Sequence, residues 1–268
     1  MPIPTYIFPA SMLYCSHIQS IAEKLKRRIL LSYYPLYLFD FDYTLVCSES
    51  AILKCFHITF DKFHLPQKST AAIKKTIGLP MRDAVRILSG YKSEEEITAF
   101  IDAYKIEADH YMTAGTFFYP HTVETLRTLK ANGARLGIVS NKTGSRVKEK
   151  FDSAGLDLID YYVGCDDVKD LKPGTEGIKK ALAFFQAEKN EALYIGDSVT
   201  DAMTAKNANL TFVGVTTGMT THDELAAFPH QKIIRDIKEL LTVSYSPIKK
   251  LPIALPILFP DTRLYQRP

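Results

Sequence analysis

The chain has 268 residues, 46% of them hydrophobic and 24% charged, which is the composition of an ordinary globular protein long enough for one or two domains. Its net charge of +3 comes from the two ends, each with four basic residues and one acidic residue, so the charge does not support nucleic-acid binding by the middle of the chain. The four cysteines are scattered without a C-x-x-C pair, which argues against a disulfide framework or a zinc site.

The N-terminal part of the sequence predicts neither a membrane span nor a secretory signal. No apolar run reaches the roughly 18 residues of a transmembrane helix. Prolines interrupt the apolar N-terminal stretch, and its charges follow that stretch instead of preceding it. We therefore expect a cytoplasmic protein without a membrane partner. Residues 1–35 are interpreted as an N-terminal extension, in which 19–34 fit a short basic amphipathic helix.

The first predicted strand, Leu36–Phe41, runs into two acids and a hydroxyl. Asp40 and Asp42 are spaced i, i+2, so they should face the same side of the strand, and Thr44 follows. Two carboxylates held together repel each other, and a metal ion or a catalytic task usually accounts for such a pair.

The segment after this strand is different in character. Residues 49–119 contain no convincing strand, and 49–116 predict a small all-α domain, with hinges expected at 46–50 and 116–120. Its clearest helices are predicted at Ala51–Phe63, Met81–Ser89 and Glu94–Met112.

Further along, strand-like runs alternate with amphipathic helices. This alternation predicts an α/β fold in which a doubly wound parallel sheet is covered on both faces. The core domain would comprise 36–48 and 117–244, followed by a proline-rich tail at 245–268. The remaining strands are predicted at Ala134–Ser140, Tyr161–Gly164, Ala192–Gly196 and Thr211–Val215, and the helices between them at Thr122–Ala131, Ser145–Ala154, Gly177–Ala187 and Thr200–Ala208.

Three polar signatures follow these later strands, and open α/β sheets place ligands at that edge. With the first motif they supply carboxylates, a hydroxyl, an amide and an ammonium, which is the inventory that phosphoryl transfer with a magnesium ion needs. Lys142, within the first signature, is expected by default to be an exposed loop residue, and a role in the site is left open. The signatures are Ser140-Asn141-Lys142, Lys172-Pro173 and Gly196-Asp197-Ser198-Val199-Thr200-Asp201.

In order, spacing and strand placement, these motifs resemble the haloacid dehalogenase superfamily of phosphatases. The helical segment resembles the first cap type of that superfamily, and the phosphoglycolate phosphatase-like subgroup is the most similar. The resemblance covers residues 36–244 and implies a Rossmann-like core with a helical cap.

The resemblance also implies roles for the motif residues. Asp40 would be the nucleophile that forms an aspartyl-phosphate, and Asp42 would protonate the leaving oxygen and then activate water. Mg²⁺ would be held by Asp40, the backbone carbonyl of Asp42, and Asp197, with Asp201 supporting the metal or its water. Lys172 would neutralise the phosphoryl group and keep Asp40 ionised.

Four further residues are candidates for binding the substrate. Ser140 and the backbone amide of Asn141 would hydrogen-bond the transferring oxygens, and Thr44 would either position the phosphate or cap its turn. Arg82, after the cap turn Gly78-Leu79-Pro80, would pair a substrate carboxylate or remain a solvated helix arginine. Tyr43 departs from the family pattern, which usually has glycine there, and this departure puts substrate and rate in doubt more than the reaction.

We therefore predict a Mg²⁺-dependent phosphatase, monomeric or homodimeric, acting on a small phosphorylated metabolite such as phosphoglycolate. A phosphosugar mutase or a pyrophosphatase on the same fold is the alternative within enzymes. A low-turnover phosphate- or partner-binding protein is the alternative outside them. No G-x-G-x-x-G or G-x-x-x-x-G-K-[ST] motif supports a nucleotide-binding fold of another class.

Overall fold

The computed structural model describes residues 33–245, whose centre is a six-stranded parallel sheet. The spatial order of its strands is β5-β4-β1-β6-β7-β8, so the first strand lies in the middle between β4 and β6. The strands are β1 (Leu36–Phe39), β4 (Arg135–Val139), β5 (Tyr161–Val163), β6 (Ala192–Gly196), β7 (Thr211–Val215) and β8 (Lys232–Ile234).

Helices cover both faces of this sheet because its central strands are apolar on both sides. Along β1 the side chains alternate: Tyr37 and Phe39 enter one hydrophobic cluster, while Leu36 and Leu38 enter another. The first cluster lies under α5 (Thr122–Ala131), α6 (Gly144–Ser153) and the 3₁₀ helix Ile237–Thr242, and the second lies under α7 (Glu176–Phe185), α8 (Val199–Ala208) and α9 (His222–Ala226).

Four helices between β1 and α5 pack around a third hydrophobic cluster of their own, rich in aromatic rings such as Phe56, Phe60 and Phe100. We call these helices the cap. A two-stranded antiparallel ribbon joins the cap to the sheet domain, formed by β2 (Val46–Cys47) and β3 (Phe117–Phe118). The cap helices are α1 (Glu49–Lys62), α2 (Thr70–Lys74), α3 (Met81–Ser89) and α4 (Glu94–Tyr111).

The predicted α/β fold with a parallel sheet and helical cap is confirmed. The helices and later strands for which bounds were predicted begin and end within two residues of them, but β1 is shorter than predicted. It ends at Phe39 because the chain then turns, with the amides of Thr44, Leu45 and Val46 all donating to the carbonyl of Phe41. Strands β2, β3 and β8 and the short helices Thr70–Lys74 and His222–Ala226 were not predicted, and β3 contradicts the expectation that 49–119 contain no strand.

Two predictions fall at the chain ends. Almost all of the predicted helix 19–34 and of the tail 245–268 lies outside the described residues. Within 33–245, no helix has both the length and the apolar character that crossing a bilayer requires.

Candidate active site

The sequence motifs meet at the carboxyl edge of the three central strands. Asp40 follows β1, Ser140 follows β4 and Asp197 follows β6. The two neighbouring strands pair with β1 in parallel register, and the Asp40 amide donates to the carbonyl of Ile195 at 2.8 Å. Since parallel strands end at one edge, residues about 100 and 157 positions downstream of Asp40 are brought to it by the topology alone.

Three buried carboxylates form the centre of the site. One oxygen from each of Asp40, Asp197 and Asp201 lies within 4.8 Å of the others. Burial, opposed by Lys172 and reinforced by Asp201, raises the pKa of Asp40 to about 6. Burial, together with the charges of Asp201 and Asp40, also raises the pKa of Asp197 well above its usual range. In the absence of a cation, this arrangement opposes ionisation of the carboxylates.

Lys172 supplies positive charge within this cluster. Its Nζ donates to one oxygen of Asp40 and one of Asp201, both at 2.7 Å, and contacts the hydroxyl of Tyr194 at 3.2 Å. Burial by itself would lower the pKa of Lys172, but the charges of Asp201 and Asp40 outweigh it and hold that pKa well above its ordinary value. The ammonium is therefore a fixed charge beside the predicted nucleophile.

Asp201 orients Lys172. Its Oδ1 accepts from Lys172 Nζ and, at 2.9 Å, from the Tyr194 hydroxyl. Its Oδ2 accepts from the backbone amide and hydroxyl of Ser198, which caps the first turn of α8. Both oxygens are thus engaged by the protein itself, so direct binding of a cation by Asp201 would compete with these hydrogen bonds. Sequence reasoning missed Tyr194, although a tyrosine in a buried strand needs a polar partner.

Asp42 makes a separate set of contacts. Because β1 ends at Phe39, a turn and not strand geometry places Asp42, and its carboxylate faces Lys142, whose Nζ lies 3.0 Å from each oxygen. The Ser48 hydroxyl also donates to it. The expectation that Lys142 is an exposed loop residue is wrong, since only 13% of its side chain is exposed. The contact joins residues 100 positions apart, which no local pattern reveals.

The small polar residues of the motifs line the same edge. Thr44 donates through Oγ1 to Asp197 at 3.1 Å, so in this structure it orients a predicted metal ligand. Ser140 and Asn141 are buried, and Ser140 Oγ accepts from the backbone amide of Lys142 at 3.3 Å. All these residues are thus in place around Asp40, and their roles in binding phosphate remain predictions.

Tyr43 adopts the left-handed backbone conformation that glycine favours, with φ of +62°. Its ring is buried and its hydroxyl donates to Glu49 at 3.0 Å, while the hydroxyl of Thr217 donates to its carbonyl. Lys74 of α2 pairs with the same oxygen of Glu49 at 2.9 Å. The tyrosine therefore keeps the loop shape expected of glycine and ties the loop to the cap.

A cavity of about 600 Å³ separates the motif residues from the cap. Asp40 and Asp42 border it on the core side, and apolar cap residues such as Phe56, Leu79 and Met112 border it on the other. Arg82 also borders it, but its guanidinium donates to Glu94 at 2.6 Å and to Thr98 at 3.2 Å. A substrate anion would have to compete with Glu94 for Arg82.

The donor set at the centre fits a hard divalent cation. Carboxylate oxygens are the ligands that Mg²⁺ prefers, and here three buried carboxylates lie together with a single ammonium, which contacts two of them. A divalent cation would balance this excess of negative charge and lower the raised pKa values of Asp40 and Asp197.

Several known proteins are similar in sequence to this chain. The family model described as haloacid dehalogenase-like hydrolase matches residues 37–215. A protein of Dickeya dadantii named "Probable phosphatase IndB" is 31% identical over 219 residues, which cover 80% of this chain and 95% of that protein. Pyrophosphatase PpaX of Oceanobacillus iheyensis is 30% identical over 207 residues, covering 77% of this chain and 94% of that protein.

Solved structures show the same likeness. A haloacid dehalogenase-like hydrolase from Bacteroides fragilis matches with a TM-score of 0.75 and 39% identity, over 77% of this chain and 99% of that one. A predicted phosphoglycolate phosphatase from Haemophilus somnus matches with a TM-score of 0.72 and 25% identity, over 78% of this chain and 97% of that one.

Proposed function

The chain belongs to the haloacid dehalogenase-like hydrolase family, and we propose that it is a Mg²⁺-dependent phosphatase that hydrolyses a small phosphomonoester through an aspartyl-phosphate. One observation carries the proposal. Asp40 borders the cavity, its Oδ1 lies 2.7 Å from Lys172 Nζ, and it forms a buried carboxylate cluster with Asp197 and Asp201. The proposed nucleophile, a fixed positive charge and the proposed cation site would thus coincide at one sheet edge.

Asp40 is the proposed nucleophile. Its carboxylate would attack phosphorus, and the ester oxygen would leave with a proton from Asp42. Asp42 would then take a proton from the water that attacks the aspartyl-phosphate. Asp42 suits an exchange of protons with substrate because it borders the cavity, while Lys142 and Ser48 orient its carboxylate.

Mg²⁺ would supply charge neutralisation for the phosphate dianion. Asp40, Asp197 and the backbone carbonyl of Asp42 are the proposed ligands. Thr44 would fix the Asp197 carboxylate by its hydrogen bond, and Asp201 would act by holding Lys172 in line with Asp40. Ser140 and the Asn141 amide would donate to the transferring oxygens, where loss of one such donor typically lowers the rate by about 10²–10³.

For the substrate, we propose phosphoglycolate-like esters first, with Arg82 as the residue that binds the substrate carboxylate. The support is the structural likeness to a predicted phosphoglycolate phosphatase and the position of Arg82 on the cavity wall. Inorganic pyrophosphate is the second candidate, because relatives named pyrophosphatase share about the same identity with this chain as the phosphatase does.

The first experiment measures hydrolysis of an aryl phosphate with and without Mg²⁺ by wild type, Asp40→Asn and Asp152→Asn. Asp152 is an exposed acid on α6, so its variant controls for a simple loss of charge. Metal-dependent turnover that only the first variant abolishes would support the proposal. Wild type that turns over neither this ester nor phosphoglycolate nor pyrophosphate would favour a binding protein.

The substrate assignment is tested separately. Arg82→Ala should lower kcat/KM on phosphoglycolate, while Arg127→Ala, an exposed arginine on α5 away from the cavity, should leave it unchanged. Full kcat/KM in the first variant would remove Arg82 from the substrate site.

A further inference from the structure

The side chain of Asn141 reaches from the core to the cap. It is buried, and its Nδ2 donates to the carbonyl of Gly78 at 3.0 Å and to the carbonyl of Lys172 at 3.2 Å. Its Oδ1 accepts from the backbone amide of Lys172 at 3.0 Å. The carboxamide of Asn141 therefore hydrogen-bonds both the backbone amide and the backbone carbonyl of Lys172. Its remaining hydrogen bonds the turn before α3.

We infer that the Asn141 side chain is a positioning residue that latches the cap turn 76–82 over the substrate cavity and couples this closure to Lys172. The inference rests on the proposed function in that the closed cavity is taken to be the one in which phosphate is transferred. It concerns the side chain, whereas the predicted phosphate contact of Asn141 uses its backbone amide.

The position of this contact distinguishes it from other polar links between cap and core. Within residues 33–245 those links involve Glu49 or the segment 109–113, next to the two chain crossings at the ribbon. Contacts beside a hinge are displaced least when the cap swings. Gly78 lies in the turn between α2 and α3, far along the chain from both crossings, so the Asn141 contact is the one that opening must break.

The turn is built to present its carbonyl to Asn141. Gly78 has φ of +92°, which L side chains rarely adopt, and Pro80 then begins the approach to α3. Leu79, Pro80 and Met81 border the cavity. When Asn141 holds Gly78, these three residues form part of the cavity wall, and when it releases Gly78 the wall opens to solvent.

The expected effect is modest and measurable. A neutral hydrogen bond of ordinary net strength changes a two-state ratio by about 2- to 10-fold, so its loss should shift the cap by that factor toward the open arrangement. Because the amide also fixes the backbone of Lys172, opening and misalignment of the ammonium should occur together and lower kcat and kcat/KM.

The test is amide hydrogen exchange of the peptide spanning 76–82 in full-length protein, with Mg²⁺ and inorganic phosphate present. Asn141→Ala removes the latch. Asn141→Asp keeps the oxygen that accepts from Lys172 but replaces the donor to Gly78 with a negative oxygen. Asn207→Ala is the matched control, since the Asn207 amide donates to the carbonyl of Pro173 at 3.0 Å without reaching the cap.

We expect exchange at 76–82 to be about 2- to 10-fold faster in Asn141→Ala and at least as fast in Asn141→Asp, with the control equal to wild type. Peptides of β1 and β6 should exchange as in wild type, which shows that the variants are folded. Exchange at 76–82 equal to wild type in both Asn141 variants would overturn the latch. This readout needs no turnover, so a failed latch and a failed phosphatase assignment give different results.

Discussion

Replacing Lys172 by methionine should leave three buried carboxylates without their ammonium. The Nζ makes two charged hydrogen bonds of 2.7 Å, and the side chains of Lys172, Asp40 and Asp201 are no more than 5% exposed. Removing one partner of a buried ion pair typically destabilises a protein by about 3–5 kcal/mol. We expect a loss in this range, which is a large part of the roughly 5–15 kcal/mol by which a typical domain is stable.

The assay is urea unfolding of the metal-free protein, and the loss should depend on pH. A carboxyl group whose pKa is raised by folding contributes stability below its unfolded pKa and loses that contribution as pH rises through the folded pKa. Burial already raises the pKa of Asp40 and Asp197, and removal of the ammonium raises both further. The deficit of Lys172→Met should therefore be larger at about pH 7.5 than at about pH 5, and Mg²⁺ should reduce it.

Lys148→Met is the matched control. Lys148 pairs with Asp152 at 2.7 Å, but both side chains are more than half exposed, so the change should alter stability by less than about 1 kcal/mol. Equal losses for Lys148→Met and Lys172→Met at neutral pH would refute the argument that burial makes the Lys172 contacts strong.

Three further outcomes follow from the same site. Mg²⁺ should raise the melting temperature more at about pH 8 than at about pH 5, because the pKa of Asp40 is about 6 and the ion binds ionised carboxylates. Calorimetry measures this shift, and equal shifts at the two pH values would contradict the prediction. Gly218→Ala would put a Cβ 1.8 Å from Asp197 Oδ2, so kcat/KM should fall by about 10²-fold with an unchanged circular dichroism spectrum, and retained activity would show that the Asp197 position is not critical. Tyr43→Gly should relieve about 1–2 kcal/mol of left-handed backbone strain but lose more stability by removing a buried ring. Urea unfolding should therefore show a less stable variant. A more stable variant would mean that the ring packs poorly.

Much of the site could be predicted because its residues follow buried strands. Asp40, Ser140 and Asp197 each come directly after an apolar run, and parallel strands bring such positions to one edge. The helical cap was predictable because 49–116 lack strand-like runs and each long helix buries an apolar face, whereas the short ribbon strands on either side of it were not predicted.

Contacts between distant side chains could not be predicted. The pairing of Lys142 with Asp42 and the hydroxyl of Tyr194 on Asp201 depend on rotamers and on strand register, which local patterns do not encode. The short strand β8 was missed because three residues at a sheet edge, two of them only half-buried, carry little periodicity. The left-handed Tyr43 was visible only as a departure from a family pattern, and its hydrogen bond to Glu49 depends on where the first cap helix packs, which no local pattern encodes.

The ribbon of β2 and β3 has a consequence for how such enzymes diversify. Because Val46 pairs with Phe118 and Cys47 with Phe117, the chain leaves and rejoins the sheet domain at a single point. The ribbon therefore holds the two ends of the cap segment together. A change in the length of that segment alters the entropy cost of closing it only slightly. The four cap helices can then be exchanged for others without a change in the register of the central strands. One hydrolytic site can thus act on different leaving groups through replacement of one contiguous stretch of sequence.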